Sequence, residues 1–419
     1  MNVGERAVAI AREAIAGVDL AARVRAAMPP LPPARARVTA CAIGKAAPVM
    51  MRAAIERWSS RIARAVVVTT KGTDVDALRG LTTNVEVMFA AHPLPDERSL
   101  AAAEAMLEAV RGDGKDLALV LVSGGASSLA SAPTAGLSLA RKRAVIEALL
   151  SRGADIADLD VVRKHLSSIK GGGLARAAFP GRTLTLVVSD VLRRDANGAV
   201  ISGDPSDVGS GPGTPDGTSI EDARAILTRL SPELLDELAP FLATSLPLDD
   251  LRARRARTKL VASPLDLAER ARLAAEGAGL AVRVLAPSLA HVEALADEYV
   301  ALSSTLRPGQ ACVRVAEPSV PTPSSRGRGG RAGRLALLAH RRGLAPDVAL
   351  ACVASDGVDG SSGNAGAVVV GPAARATHAA IDDALHRYDD AAFLESNAFA
   401  IRSLPTGTNL LDVHVLVRL

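Results

Sequence analysis

Aromatic side chains are nearly missing from this chain of 419 residues, which holds one Trp, two Tyr and five Phe. Its core must therefore be aliphatic, and a chain of this length can bury such a core without staples. There are only three cysteines, Cys41, Cys312 and Cys352. They lie far apart, each in an apolar, strand-like run. This speaks against a disulfide framework or a zinc site and suits a reducing compartment. No apolar stretch reaches the roughly 20 residues that span a bilayer. Met1 to Val18 reads as an amphipathic helix with acids, not as a signal peptide, so a cytoplasmic protein is expected. The net charge is only +4, with basic residues spread among acids. The electrostatic footprint of a nucleic-acid binder is thus absent. The seven histidines show no metal-ligand spacing, and no G-x-S-x-G elbow supports acyl hydrolysis. Lysine is scarce too: positions 45, 71, 115, 142, 164, 170 and 259 are the full set. A lysine kept in so arginine-rich a chain hints at a site that wants a compact ammonium. Lys45, Lys71, Lys164 and Lys170 stand beside predicted strand ends or glycines.

What is present is a strand, Leu117 to Val122, running into Ser123-Gly124-Gly125-Ala126-Ser127-Ser128. Small residues there let a ligand approach the backbone closely. Arg163-Lys164-His165-Leu166-Ser167-Ser168-Ile169-Lys170-Gly171-Gly172-Gly173 adds positive charge to a second glycine run. Together they suggest a pocket for an anionic, phosphorylated small molecule. Strands at 38–43, 65–70, 85–90, 117–122 and 184–189 alternate with helices at 45–58, 100–110, 139–150 and 155–167. That order predicts a parallel sheet with helices on both faces. Ligands would bind beyond the carboxyl ends of its strands. The segment 220–251 reads as largely helical. The strands 258–261 and 281–285, with helices near 265–277 and 290–306, begin what looks like a second α/β domain. It continues through a Pro/Ser/Gly/Arg loop at 318–334, a helix at 335–342, a strand at 349–354, a helix near 373–388 and a last strand at 411–417. The length suits two or three domains, and we expect two, residues 1–240 and 241–419, the second with a mixed sheet. The first helix is free to pack on the second domain.

Several short motifs carry candidate chemistry, each with a plain structural alternative. Gly44-Lys45 sits at a strand-to-helix junction, where free N–H groups and the helix dipole favour an anion. It is not a Walker A loop, because Thr39 stands where that motif needs glycine. The run Lys170 to Gly173 is a phosphate nest or a helix C-cap. Ser189-Asp190 ends a strand with a carboxylate, fit for Mg²⁺, for a base or for a helix cap. Arg326, Arg328 and Arg331 stand in a glycine frame that suits carboxylate or phosphate, or form a flexible basic loop. Asp356 and Asp359, with two residues between them and a glycine directly after each, read as cation ligands or as a tight turn. Thr406-Gly407-Thr408-Asn409 offers hydroxyls and an amide, or a simple turn.

Taken in order, these motifs resemble the glycerate kinases of the glycerate 2-kinase type, whose C-terminal half is called the MOFRL domain. The resemblance rests on Ala42-Ile-Gly-Lys45, His92-Pro-Leu-Pro-Asp96, Leu121-Val-Ser-Gly-Gly125, Val162-Arg-Lys-His-Leu-Ser-Ser-Ile-Lys-Gly-Gly172 and Val188-Ser-Asp-Val191. It continues through Gly209-Ser-Gly-Pro212, Arg328-Gly-Gly-Arg331, Ser355-Asp-Gly-Val-Asp-Gly360 and Thr406-Gly-Thr-Asn409. It implies a Rossmann-like N-terminal domain, a second α/β domain and an active site in the cleft between them. It further implies ATP-dependent phosphorylation of D-glycerate, usually to 2-phosphoglycerate, with a divalent cation. On that pattern Lys45 and Arg331 match the active-site cations. We assign Ser123, Gly124, Gly125, Ser127, Lys170, Gly171 and Gly172 to nucleotide phosphates, and Lys45, Arg331 and Asn409 to the substrate. Asp190 is assigned to Mg²⁺ or to activation of the hydroxyl, with Asp356 as a further Mg²⁺ ligand. The chain departs from the family at Ala332-Gly333-Arg334, where Asn-Gln-Glu is usual. A member that binds glycerate or nucleotide without efficient turnover, and a kinase for a related hydroxy acid, are the alternatives. A homo-oligomer stays open. No dinucleotide fingerprint supports a hydroxypyruvate reductase. The stretch 192–202 resembles an insertion, a hairpin turning at Asn197-Gly198.

Overall fold

The computed structural model describes residues 1–33, 36–81, 84–111, 116–321, 327–372, 377–403 and 406–419. Its contacts divide the chain into two compact units. One comprises Leu20–Ser189 and Gly203–Ala262, the other Met1–Asp19, Asp190–Ser202 and Ser263–Leu419. The division expected at 240/241 thus falls later, and the first 19 residues join the C-terminal unit.

The N-terminal unit is built on six strands: β1 Val38–Ile43, β2 Ile62–Thr70, β3 Val85–Ala90, β4 Leu117–Val122, β5 Arg182–Val188 and β6 Ala256–Ala262. Their order is β3-β2-β1-β4-β5-β6, and every pair is parallel. Near-continuous aliphatic runs such as Val38-Thr-Ala-Cys-Ala-Ile43 and Leu117-Ala-Leu-Val-Leu-Val122 suit strands covered on both faces. Right-handed crossovers then send the helix Ala47–Trp58 to one face and Glu97–Val110 to the other. The order reverses between β1 and β4, so a crevice opens beyond their carboxyl ends. β6 is a correction. Its residues 258–261 were expected in the second domain, but they continue the first sheet beside β5.

Helix starts follow caps more closely than hydrophobic periodicity. Glu97–Val110 begins three residues before the expected Leu100 because the Asp96 carboxylate accepts from the Arg98 N–H and Ser99 closes a capping box. The helix expected from Leu335 begins at Arg331, inside the segment read as loop. Ser325 and Arg326 of that segment lie outside the described residues.

The C-terminal unit carries β7 Ala281–Val284, β8 Gln310–Ala316, β9 Val348–Ala354, β10 Asn364–Val370, β11 Ala400–Arg402 and β12 Asp412–Arg418. The order is β11-β10-β9-β12-β8-β7, antiparallel except for β7 with β8, so the sheet is mixed. The first helix, Val3–Ala16, packs in this unit against the helix Pro264–Gly277 and the sheet. A hairpin pairs Leu192–Arg194 with Val200–Ser202 and turns at Asn197-Gly198, where Gly198 has φ +81°, as the sequence suggests. The three cysteines are free and buried, and burial pushes the Cys41 thiol up to about 12. Among the described residues, no helix is long and apolar enough to cross a membrane.

The tightest backbone approach at the top of the first sheet is at Gly44, with φ +124°. A Cβ there would lie 2.2 Å from Ser123 Oγ and 2.5 Å from its carbonyl oxygen. Gly44→Ala is expected to cost about 3 kcal/mol or more in urea unfolding, the sum of backbone strain and a clash that backbone must absorb. Gly153 has φ +85° with open space around it, so Gly153→Ala should cost only about 1–2 kcal/mol. Equal losses would mean that the close approach carries no weight.

Candidate functional site

The two glycine-bearing motifs of the N-terminal unit meet at the reversal point of its sheet. The Gly44 N–H donates to Val68 O (3.1 Å), the Lys45 N–H to Gly124 O (2.9 Å) and the Ser123 N–H to Ile43 O (2.9 Å). The Ala46 N–H donates to Ser123 Oγ (3.1 Å). Ser123 is fully buried. Its hydroxyl therefore staples two loops together, a different role from the phosphate contact expected of it. Lys45 is half-buried and leaves the backbone where the helix Ala47–Trp58 begins. Gly125, at φ +88°, opens the short helix Ala126–Leu129. The His92 ring would lie 3.3 Å from a Cβ placed at Gly125.

The second glycine run behaves differently from a nest. The Gly171 N–H donates to Ser210 O (2.9 Å), Gly172 to Gly211 O (2.8 Å) and Gly173 to Lys170 O (3.1 Å). A phosphate would find these donors spent. The glycines serve packing instead: a Cβ at Gly171 would meet Ser245 Cβ at 2.7 Å, and one at Gly172 would meet Leu246 Cβ at 2.6 Å. Both also hold positive φ. His165 is structural, bonded to Ala243 O (2.8 Å) and Thr218 Oγ1 (3.1 Å). Lys164 pairs with Asp160 (2.9 Å) and Asp216 (3.2 Å). Burial opposes its charge, but the two carboxylates more than reverse this and raise its pKa.

Lys170 keeps a place in a site. Its buried Nζ donates to Ser127 O (2.8 Å), Ser127 Oγ (2.9 Å) and Gly209 O (3.3 Å). Burial, aided by Arg163, pulls its pKa down to about 7. With His92, Gly125, Ser127, Lys142 and Arg163 it lines a cavity of about 320 Å³. Lys142 was passed over in the sequence, although it is one of only seven lysines.

In the C-terminal unit, Arg331 is the first residue of the helix Arg331–Arg342. Its Nε and Nη2 donate to the two Asp412 carboxylate oxygens (2.8 and 3.1 Å), and Nη1 donates to Glu317 Oε1 (2.9 Å). Burial opposes its charge, but Asp412 and then Glu317 outweigh that and hold it firmly protonated. Asp359 is buried, and its two carboxylate oxygens cap the same helix at the Ala332 and Gly333 N–H groups (3.0 and 2.8 Å). Burial and the nearby Asp412 raise it to about 7. Neither Asp412 nor Glu317 was foreseen. A lone acid in Leu410-Leu411-Asp412-Val413 was the available signal.

The departure at residues 332–334 is filled, not vacant. Arg334 is buried against Asp390 (3.2 Å) and lies 4.0 Å over the Tyr388 ring. Asp190 and Asn409 come together, Asn409 Nδ2 donating to Asp190 Oδ2 at 2.7 Å. Asp356 Oδ1 accepts from the Val358 N–H (3.0 Å), a local turn. Arg328 pairs with Glu395 (2.9 Å). Among the described residues, no group of three or more His, Cys, Asp or Glu side chains is placed to hold a metal ion.

Such arrangements, clasped guanidinium, strand-end ammonium and a cationic cavity, suit phosphate and carboxylate ligands. The chain matches the family model "Domain of unknown function (DUF4147)" over residues 6–246 and the MOFRL family over 308–412. It is 35% identical to an Agrobacterium vitis protein named "Putative hydroxypyruvate reductase", over 91% of this chain and 87% of the relative. It is 31% identical to the D-glycerate 2-kinase of Thermotoga maritima, over 90% of each. A crystal structure of glycerate kinase from Thermotoga maritima superposes with a TM-score of 0.83, at 28% identity and 99% coverage of both chains. From sequence over nine-tenths of its length and fold over nearly all of it, this chain belongs to the glycerate kinases of the glycerate 2-kinase type and is a kinase.

Proposed function

We propose that the enzyme transfers the γ-phosphoryl group of ATP to the 2-hydroxyl of D-glycerate, giving 2-phosphoglycerate and ADP. The hydroxyl oxygen gains a bond to phosphorus, the bond from phosphorus to the β,γ-bridging oxygen breaks, and the hydroxyl proton leaves to a base. Such a transfer asks the protein for placement and charge neutralisation rather than covalent chemistry. The observation that carries this reading is Lys45, held at the reversal point of a parallel sheet and laced to Ser123-Gly124.

Lys45 then neutralises the transferring phosphoryl group. Gly124, Gly125, Ser127 and Lys170 face the nucleotide phosphates, whereas Ser123 holds the loop. Arg331 and Asn409 bind glycerate. Asp412 is almost wholly buried and bidentate, so it orients the guanidinium permanently. Glu317 makes a single, 41% exposed contact, which a substrate carboxylate can replace. Asp190 accepts the hydroxyl proton or binds Mg²⁺, and Asp356 is a further oxygen donor for the cation. Both are carboxylates, the donor type Mg²⁺ takes, and Mg²⁺ in phosphoryl-transfer sites needs only one or two, with phosphate oxygens and water completing the shell. When bound, Mg²⁺ would neutralise charge on the nucleotide phosphates. A cytoplasmic setting is supported by the three buried, unbridged thiols.

Lys45→Ala should lower turnover more than 100-fold with an unchanged circular-dichroism spectrum, since a transition-state charge contact is worth about 3 kcal/mol. Near-normal ADP release would remove Lys45 from the mechanism. Asp412→Asn should raise the KM for glycerate at least tenfold, while Glu317→Gln should leave it unchanged or lower it; the reverse ranking would mean that Glu317 is the orienting partner. Phosphorus NMR of the product formed from D-glycerate, ATP and Mg²⁺ should show 2-phosphoglycerate. A 3-phosphoglycerate signal, or ADP release only with another hydroxy acid, would overturn the assignment.

A further inference from the structure

Among the described residues, Lys142 is the least explained cation of the N-terminal unit. It lies on the helix Leu139–Ser151, is 4% exposed, and its Nζ has no hydrogen-bond partner. Its neighbours do not compensate for it. Lys170 is held by carbonyl and hydroxyl oxygens, not by a carboxylate. Asp160, the nearest acid to Arg163 in sequence, is engaged by Lys164. A buried ammonium without a partner costs several kcal/mol unless it loses its proton or gains an anion. Burial, then Lys170 and Arg163, accordingly depresses the Lys142 pKa far below the usual lysine range. A chain that prefers arginine keeps lysine here, a basic side chain that, unlike arginine, is able to switch its charge in this way.

The cavity that Lys142 lines also receives Lys170, Arg163, Ser127 and Ser128. His92, Arg143 and Glu147 stand around it as well, and Glu147 is exposed. At about 320 Å³ the space suits a phosphate chain rather than a whole nucleotide.

We propose that the cavity walled by Lys142, Arg163 and Lys170 is a phosphate subsite, with Lys142 as its inner cation, closing on the terminal phosphates of the nucleotide. The assignment to a nucleotide rests on the kinase reading above; the affinity for phosphate groups does not. Lys142 takes up a proton as the anion enters, because the anion favours the charged form that burial had disfavoured.

The test uses the full chain and its Lys142→Met variant, which keeps the stem and removes the charge. Calorimetry with pyrophosphate, ADP, 2-phosphoglycerate and adenosine at pH 8 is the readout, repeated in buffers of different ionisation enthalpy. Pyrophosphate and ADP should bind the variant at least tenfold more weakly, adenosine equally, and the wild type should take up about one more proton per anion bound. Weakening confined to 2-phosphoglycerate would assign the subsite to the product and overturn the nucleotide assignment. Equal pyrophosphate binding by both proteins, or none by the wild type, would overturn the subsite itself. The thermal midpoint of Lys142→Met without ligand should be equal or higher, because a buried amine that lacks a hydrogen-bond partner is gone. If that variant does not fold, Lys142→Arg, which cannot shed its proton, should keep pyrophosphate binding and lose the extra proton uptake; retained uptake would overturn the role of Lys142. Lys142-dependent pyrophosphate binding without phosphorylation of glycerate would leave the subsite standing and reject the kinase reading.

Discussion

The contact between Gly44 and Ser123 determines where the chemistry of the N-terminal unit can collect. Adjacent parallel strands end together there, at the one place where the sheet order reverses. A side chain at position 44 would occupy the volume of the serine, so only glycine lets the two loops exchange backbone hydrogen bonds. Those bonds in turn fix the point at which Lys45 leaves the chain. The carboxyl ends of β1 and β4 thus carry Lys45 and one glycine turn, and their stability is that of the sheet beneath them.

Positive charge is managed in three distinct ways in this molecule. Lys164 is answered by two carboxylates and Arg331 by two more, so both stay charged despite burial. Lys170 is answered by neutral oxygens and sits near the middle of the physiological range. Lys142 is answered by nothing within hydrogen-bond reach. The gradient from answered to unanswered runs from Lys164, which holds the fold, and Arg331, which two acids hold in place, to Lys170 and Lys142, the two lysines that we propose wait for a phosphate. The replaced residues 332–334 belong to the first group: Arg334 has its own buried acid and an aromatic face, and the small Ala332 and Gly333 present their N–H groups to Asp359.

The parts of this molecule that could be read in the sequence are those with local causes. Apolar runs marked β1, β3 and β4 to the residue, and Asn197-Gly198 marked a hairpin. Caps were harder: Asp96 and Asp359 move helix starts by three and four residues, and Asp359 acts from 26 or more residues away along the chain. Gly171 to Gly173 looked like a phosphate nest because sequence shows three small residues but not where their N–H groups point.

Hydrophobic periodicity and motif order together determined the α/β class, the parallel first sheet and the family, since these follow from spacing along the chain. Only the tertiary structure decided that residues 256–262 complete the first sheet, that the first helix serves the C-terminal unit, and that Asp412 clasps Arg331. It also decided which cations are left unpaired. Strand pairing, charge compensation and burial depend on residues tens to hundreds of positions apart, and their energies arise only when folding brings those residues within a few ångströms of one another.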